Sequence, residues 1–199
     1  MKSAVNALAL GRDPNKYGLL EIRGKIINCL TNPMEKIMEN EEIRLIFSAL
    51  GVTSNNYQPE KLRYGKVGIA TDADKDGNHI ALLLLCFFSE MLPNMLKENR
   101  IMRLHSPTHI IKTKNKDYYY FSDEEFQKRK IKGETIQVKG LGELTSDQIK
   151  TAMFGELQHL VPFDWNNEND QLLRNFMGND VEFRKNFLFH ECDFSQIIE

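Results

Sequence analysis

The chain contains few cysteines, and their scarcity limits what kind of protein it is. Three occur in 199 residues, Cys29, Cys86 and Cys192. They are far apart and odd in number, so they indicate reduced thiols rather than a disulfide framework or a zinc knuckle. The five histidines show no metal-ligand spacing beside these cysteines. Internal repeats and low-complexity segments are absent, so the length suits one globular domain, with or without an appendage.

Long hydrophobic runs are absent as well. The longest, Ile80 to Phe88, is about half of the ~20 residues that a membrane-spanning helix needs. The N-terminus has no signal-peptide pattern, so the expected compartment is the cytoplasm, with no membrane association. With 41% hydrophobic and 27% charged residues, the composition is ordinary for a soluble globular protein.

A strong net charge is the third missing feature, since the formal charge is only −2. Its distribution is uneven, however. Residues 1–71 carry ten Lys and Arg against seven Asp and Glu, and residues 100–140 carry ten against five. The segment between these two, residues 72–99, is acidic. Residues 141–199 carry four basic against eleven acidic groups. Basic segments around an acidic one suit a phosphodiester substrate, although solvated charged faces would give the same balance.

The acidic stretch holds the motif with the clearest chemistry. A β-prone run from Lys66 ends at Thr71 and is followed by Asp72, Asp74 and Asp76. Gly77 then permits a turn, and an apolar run predicts a helix from His79 to Asn99. Clustered carboxylates repel one another unless a cation lies among them, and oxygen ligands suit Mg²⁺ or Ca²⁺. The pattern therefore predicts a catalytic metal site between a strand and a helix.

The motif is open to two other interpretations. An acidic turn after a strand is often only a solvated loop with a helix N-cap. The spacing also matches the first half of an EF-hand calcium loop, but Leu83 stands where that loop needs a bidentate glutamate. An EF-hand also requires an entering helix, whereas the residues before Asp72 predict a strand. The EF-hand is therefore excluded.

Strand and helix signals alternate along the chain and predict an α/β fold. Helices are predicted over residues 1–10, 33–50 (one helix or two), 79–99, 145–154 and 168–189, with a short one after Ser122. Strands are predicted at residues 19–22, 66–71, 101–104, 109–113, 118–121 and 135–138. The run Tyr118-Tyr119-Tyr120 is expected to pack across a hairpin rather than to supply a nucleophile.

Several ordered blocks resemble one protein family. They are Ser3-Ala4 with Gly11-Arg12-Asp13; Arg23-Gly24-Lys25-Ile26-Ile27-Asn28; Asn40-Glu41-Glu42-Ile43; Lys61-Leu62-Arg63-Tyr64; Thr71-Asp72-Ala73-Asp74 with Asp76-Gly77 and His79-Ile80; Pro107; Lys139-Gly140-Leu141-Gly142-Glu143; and Phe176-Met177-Gly178. The set resembles the C-terminal half of the ATPase-bearing subunit of type IIA DNA topoisomerases, the gyrase B-subunit family, whose metal-binding module is the TOPRIM domain.

The resemblance implies a fold and a division of the chain. The expected fold is a Rossmann-like TOPRIM domain, with a mainly parallel sheet flanked by helices, that lacks its first strand. Residues 1–122 would form this core. Residues 123–199 would form an α-rich tail region with the Lys139–Glu143 segment and the C-terminal helices.

The resemblance also implies a reaction. A tyrosine on a partner subunit would attack DNA while Mg²⁺ stabilises the developing charge, and ATP would bind to a different chain or domain. The implied metal ligands are Asp72, Asp74 and Asp76, the last at a second site or through water. The implied catalytic residues are Asp72, Asp74 and Lys139, and DNA would contact Arg12, Arg23, Lys25, His79, Lys139, Gly140 and Gly142.

One departure from the family pattern bears on the partners. The family's Glu-Gly-Asp-Ser-Ala motif supplies a glutamate that is both a metal ligand and an acid–base group, whereas only Met1-Lys2 precede Ser3-Ala4 here. An ATPase-bearing subunit is expected to supply that glutamate and the first strand. T-even-like bacteriophage topoisomerases are divided in this general way, which would place the chain in the host cytoplasm. A shortened fragment and a non-catalytic module that binds DNA or partners are the alternatives; a primase-type or nuclease-type TOPRIM enzyme fits less of the chain.

Overall fold

The structure is a computed structural model, and it describes residues 2–53, 56–72 and 74–191. The helices are α1 (Lys2–Gly11), α2 (Met34–Glu39), α3 (Glu41–Leu50), α4 (Lys75–Met91), α5 (Pro93–Lys97), α6 (Asp123–Gln127), α7 (Ser146–Met153), α8 (Asn167–Met177) and α9 (Val181–Glu191). The strands are β1 (Val67–Ile69), β2 (Ile101–His105), β3 (His109–Lys112), β4 (Asp117–Tyr120), β5 (Glu134–Gln137) and β6 (His159–Pro162).

The first sheet has the order β1-β2-β6 and carries the acidic motif at the end of β1. β1 and β2 are parallel, with Val67 beside Ile101 and Ile69 beside Arg103. β6 pairs antiparallel with β2, with His159 opposite His105. The α/β class with helices around a small sheet is therefore confirmed, although this sheet contains one parallel and one antiparallel pair.

α4 connects the two parallel strands and supplies most of the larger hydrophobic core. Its apolar residues occur nearly all round the helix, which is the pattern of a buried helix. Phe87 is fully buried and meets Phe47 of α3 edge to face, with ring centroids 5.2 Å apart. Pro93 cannot continue the hydrogen bonding of α4, so the chain breaks at Leu92 and resumes as α5.

A second sheet, β4-β3-β5, is antiparallel throughout and covers a smaller core with α7. The predicted hairpin is confirmed: Ile110 lies opposite Tyr119, and Ile111 lies opposite Tyr118. The ammonium of Lys116 stands 4.6 Å from the ring centroid of Tyr118. These contacts place the tyrosine run in cross-strand packing.

Residues after 122 contribute strands to both sheets. β5 pairs with β3, and β6 pairs with β2, so backbone hydrogen bonds join residues 123–199 to the first 122 residues. The division of the chain at residue 122 remains a prediction. α8 and α9 then follow as the α-rich end of the described chain, with Leu173 of α8 buried against the larger core.

Two of the cysteines are free thiols, as predicted. Cys29 and Cys86 are both buried, and burial raises the pKa of each thiol to about 12. Cys192 lies outside the described residues. Within the same residues, no helix has the length and hydropathy needed to cross a bilayer.

Candidate metal centre

The three aspartates of the motif surround the junction of β1 with α4. Asp72 follows the strand, Asp74 is the last residue before the helix, and Asp76 lies in its first turn. In α/β sheets, ligands bind at the carboxyl ends of parallel strands, because the loops there leave a crevice. The motif therefore occupies the position where this fold class places its ligands.

Asp72 is held by the segment predicted to contact DNA. One of its carboxylate oxygens, Oδ1, accepts a hydrogen bond from the backbone N–H of Leu141 at 2.9 Å. Gly140 lies so close that an added Cβ would stand 3.2 Å from the same oxygen. Within the turn, the backbone N–H of Lys139 donates to the carboxylate of Glu143 at 2.9 Å, and the Lys139 side chain is exposed. The fold thus joins two motifs that are 69 positions apart.

Asp74 has a structural duty in addition to its predicted chemistry. Its backbone is extended, and its Oδ1 accepts the N–H of Gly77 at 2.6 Å, which makes it the N-cap of α4. An N-cap acceptor satisfies one of the backbone donors that lack a partner at a helix start. The helix N-cap that the solvated-loop interpretation expects is therefore present. It occupies only one carboxylate oxygen, Oδ1 of Asp74, among the three aspartates.

Asp76 forms an ion pair with a second predicted DNA-binding segment. Lys25 Nζ lies 2.8 Å from Asp76 Oδ1. The hydrogen bond and the charge of Lys25 lower the pKa of the Asp76 carboxyl. Both side chains are well exposed, 46% for Lys25 and 79% for Asp76, and such pairs exchange readily with solvent or another ion. The loop Arg23-Gly24-Lys25 is thereby brought beside the start of α4.

These contacts decide how a divalent cation would fit the motif. Across residues 2–53, 56–72 and 74–191, no group of three His, Cys, Asp or Glu side chains is close enough to hold a metal ion. Mg²⁺ commonly takes only one or two protein carboxylates and keeps water or phosphate as its other ligands. Asp72 and Asp74 each use one oxygen in the contacts above, so the pair suits that type of binding. Asp76 uses its Oδ1 for Lys25, so it would join them through its other oxygen or after leaving Lys25.

The other predicted DNA-binding residues differ in their surroundings. Arg23, His79 and Gly142 are exposed, while Gly24 has a φ of 74°, which a non-glycine residue rarely adopts. Arg12 is half-buried and donates a hydrogen bond from its guanidinium to the carbonyl oxygen of Tyr17. Arg12 therefore braces the turn after α1, whereas the segments around Lys25 and Gly140 reach the aspartates.

Three basic side chains beside the motif escaped prediction from the sequence: Arg103, His105 and His159. Arg103 and His105 occupy alternate positions of β2, so they share one face of the sheet with His159 on β6. The imidazole rings of His105 and His159 have centroids 5.2 Å apart. The available signal in the sequence was the arginine and the histidine at positions 103 and 105. In a strand these positions lie on the same face as the apolar Ile101.

A cleft of about 530 Å³ runs along β1 and ends at the three aspartates. Within the described residues, β1 is paired only with β2. The backbone N–H of Val67 donates to the carbonyl oxygen of Arg100, just before β2. In a parallel pair, successive residues direct their backbone groups to opposite sides of the strand. The N–H and C=O of Gly68 therefore point away from β2, toward the other edge. Most of the cleft lining is apolar, including Leu20, Ile80 and Leu160. This edge of the sheet therefore has unpaired backbone groups beside an apolar cleft.

Replacement of Gly77 by alanine is expected to destabilise the site. An added Cβ would lie 2.1 Å from the backbone oxygen of Asp72, and backbone can move less easily than a side-chain tip. The free energy of unfolding should fall by about 1–3 kcal/mol, despite the higher helix propensity of alanine. Urea denaturation measures the change. Lys75→Ala, at an exposed position of the same helical turn, should stay within about 0.5 kcal/mol of wild type. An unchanged urea midpoint for Gly77→Ala would contradict the close packing of Gly77 against the backbone of Asp72.

Known proteins share both the sequence and the fold. The Toprim domain family matches residues 1–105. The chain is 34% identical over 195 residues to the B subunit of DNA gyrase from Thermotoga maritima, covering 94% of this chain and 31% of that protein. It is 32% identical over 212 residues to the B subunit of DNA topoisomerase 4 from Mycoplasma capricolum, covering 99% of this chain and 33% of that protein.

A solved structure agrees with these relatives. The DNA-binding, cleavage and re-ligation domain of Plasmodium falciparum topoisomerase II superimposes with a TM-score of 0.81 at 26% identity. The alignment covers 95% of this chain and 27% of that one. The chain spans about a third of the length of the curated relatives. Because the family match extends over more than half of the residues, the chain belongs to the Toprim domain family, with gyrase B-type and topoisomerase IV B-type subunits among its relatives.

Proposed function

We propose that this chain is the metal-holding TOPRIM part of an ATP-dependent type II DNA topoisomerase, which changes DNA topology by passing one duplex through a transient double-strand break. The convergence of three segments carries the proposal. The aspartates after β1 meet the Lys139–Glu143 turn through Leu141, and they meet the Arg23–Lys25 loop through Asp76. Carboxylates for a divalent cation beside cations for phosphate are what phosphoryl transfer requires.

Each segment has a role in the proposed reaction. Asp72 and Asp74 hold Mg²⁺ through carboxylate oxygens, and Asp76 serves a second site or acts through water. The chemistry that Mg²⁺ supplies when bound is stabilisation of negative charge on the phosphate and the leaving oxygen. Lys139 orients the scissile phosphate, since the turn that carries it is bonded to Asp72. The remaining contacts position the DNA backbone and come from Arg12, Arg23, Lys25, His79, Gly140 and Gly142.

The proposal includes two protein partners. A cleavage subunit provides the tyrosine nucleophile, and the tyrosines at 118–120 of this chain pack within a sheet. An ATPase-bearing subunit, which binds ATP, adds the first strand of the sheet along β1 and a glutamate to the metal centre. The unpaired edge of Gly68 and the apolar cleft support this addition, because a strand laid there would end beside Asp72 and Asp74.

Copurification followed by assay tests the proposed function. A tagged chain isolated from its native source should bring down an ATPase-bearing and a tyrosine-bearing polypeptide. The purified complex should relax supercoiled DNA with Mg²⁺ and ATP, and EDTA should abolish the activity. The chain by itself should be inactive, because the nucleophile and the ATP site lie elsewhere. A complex that never cleaves DNA with Mg²⁺ would refute the enzymatic role.

A second function is a TOPRIM-like module that binds DNA or partner subunits without performing chemistry. Its support is the absence, among the described residues, of a three-acid group close enough to hold a metal ion. The two functions differ in one result. A non-catalytic module would leave DNA cleavage by its complex unchanged when Asp72 and Asp74 are both replaced, whereas the topoisomerase loses cleavage.

A further inference from the structure

Arg103 is a cation without a counter-ion in the part of the chain that the structure describes. Its Nη1 atom is buried and makes no hydrogen bond there. Among the described residues, its only side-chain hydrogen bond is a long one, 3.5 Å from Nη2 to the side-chain oxygen of Asn78 in the first turns of α4. Desolvation lowers the pKa of this guanidinium. A partly buried charge without a partner costs desolvation free energy that no contact offsets. Binding of an anion from another molecule would supply the missing partner.

Two histidines lie next to Arg103 and add hydrogen-bonding groups to the same site. His105 lies two positions after Arg103 on β2, and His159 is the register partner of His105 on β6. Because Ile69 is paired with Arg103, the end of β2 at His105 lies beside the segment that leads from β1 to Asp72. His105 is half-buried and His159 is exposed, so an incoming group can reach both rings. Asn78 adds an amide beside the guanidinium.

We infer that Arg103, His105 and His159 bind a backbone phosphate of DNA next to the metal centre, an inference that rests on the proposed function. The planar guanidinium presents donors in the geometry that phosphate accepts, and imidazole N–H groups can add to it. Asn78 and the helix start above it favour an anion further.

The sheet order favours DNA over the carboxylate of a partner protein. A strand added at the open edge of β1 lies on the far side of β1 from β2 and β6. Any acid that such a strand carries would therefore be separated from Arg103 by a whole strand. The carboxyl ends of β1 and β2, in contrast, lie at the same end of the sheet, because Ile69 pairs with Arg103; Asp72 follows β1 there, and His105 is the last residue of β2.

The salt dependence of DNA binding tests the inference. Binding of a short duplex to the complex of the full chain with its copurified partners is measured over a range of salt concentrations. For Arg103→Gln, the slope of log affinity against log salt should fall by about 0.9, the value for one lost phosphate contact. The double variant His105→Gln/His159→Gln should weaken binding in the same direction. Arg129→Gln serves as the charge-matched control, since that guanidinium lies over the ring of Phe126 in α6.

The outcomes separate this inference from the proposed function. A reduced slope for Arg103→Gln and weaker binding by the histidine variant, with unchanged slope and affinity for Arg129→Gln, would support the phosphate site. Wild-type binding with unchanged slopes in both variants would overturn the inference and leave the topoisomerase assignment standing. Unchanged slopes with weaker subunit assembly would also overturn it, and would identify the anion as a partner's carboxylate. If Arg103→Gln does not fold, the histidine variant alone decides. A wild-type complex that does not bind DNA would overturn both proposals.

Discussion

Replacing either Asp72 or Asp74 with asparagine should lower the rate of Mg²⁺-dependent DNA cleavage about 100-fold, the size of effect seen when one group that stabilises transition-state charge is removed. Asparagine keeps the shape of aspartate but not its charge. A neutral amide is a poor ligand for Mg²⁺, which prefers anionic oxygens. The measurement is single-turnover cleavage of a labelled duplex by the assembled complex at several Mg²⁺ concentrations. The double variant should show no cleavage.

Asparagine is the right replacement because both aspartates also support the fold. In the Asp72→Asn variant the amide oxygen can still accept the N–H of Leu141. In the Asp74→Asn variant it can still cap α4 through the N–H of Gly77. Asparagine caps helices about as well as aspartate, so the free energy of unfolding should change by less than about 1 kcal/mol. Asp74→Ala would confuse the two roles by removing the cap.

Asp76→Asn provides a comparison within the same motif. Asp76 is paired with Lys25 and is not one of the two aspartates, Asp72 and Asp74, proposed to hold Mg²⁺ directly. Its replacement should therefore lower the cleavage rate only about tenfold, as for a supporting group near a metal. Wild-type cleavage rates in the Asp72 and Asp74 variants would contradict the assignment of the metal centre. Equal losses at all three positions would instead favour a single site that uses all three carboxylates.

The start of α4 illustrates why sequence patterns predict elements better than their ends. The apolar run predicted a helix from His79, whereas the helix begins at Lys75. The first turn consists of charged residues and Gly77, which favour a loop when considered locally. The hydrogen bond from Gly77 to Asp74 and the close packing of Gly77 on Asp72 stabilise the helical turn there. Neither contact can be read from hydrophobic periodicity.

Short strands depended on tertiary pairing in the same way. The predicted strand at residues 19–22 is wrong: the segment lies along the cleft without a strand partner among the described residues. β6, from His159 to Pro162, was not predicted because it is short, mostly exposed and ends in proline. It exists because β2 offers an edge for antiparallel pairing. The apolar patterns of the strands in the hairpin, by contrast, predicted it correctly.

The candidate site shows a similar division. The residue types and their spacing predicted which segments form the site, because clustered carboxylates indicate cation binding and cations beside a glycine indicate phosphate binding. They could not predict that Leu141 bonds Asp72 or that Lys25 pairs with Asp76, since both contacts join segments distant in sequence. Arg103 was missed for the same reason, because its unusual environment is created by neighbouring strands and α4.

Replacement of Gly68 by proline should weaken assembly with the ATPase-bearing partner. Gly68 directs its N–H away from β2, toward the open edge where the partner strand is proposed to add. Proline removes that donor and fills the space with its ring, yet it is tolerated in edge strands because the bonds to β2 remain. A buried carbonyl of the partner strand would then lack a donor, at a cost of about 3 kcal/mol. The dissociation constant of the complex should rise about 100-fold.

Gly68→Ala is the matched control for this test. Either replacement adds a Cβ that would approach a methyl group of Leu160 at 3.3 Å, a side-chain tip that can move, but alanine keeps the N–H. The alanine variant should therefore assemble nearly as wild type does. Amide hydrogen exchange at Val67 and Ile69 checks that β1 still pairs with β2 in both variants. Equal assembly of the proline and alanine variants, with that pairing intact, would mean that no strand is added along β1 and that the glutamate must reach Asp72 and Asp74 by another route.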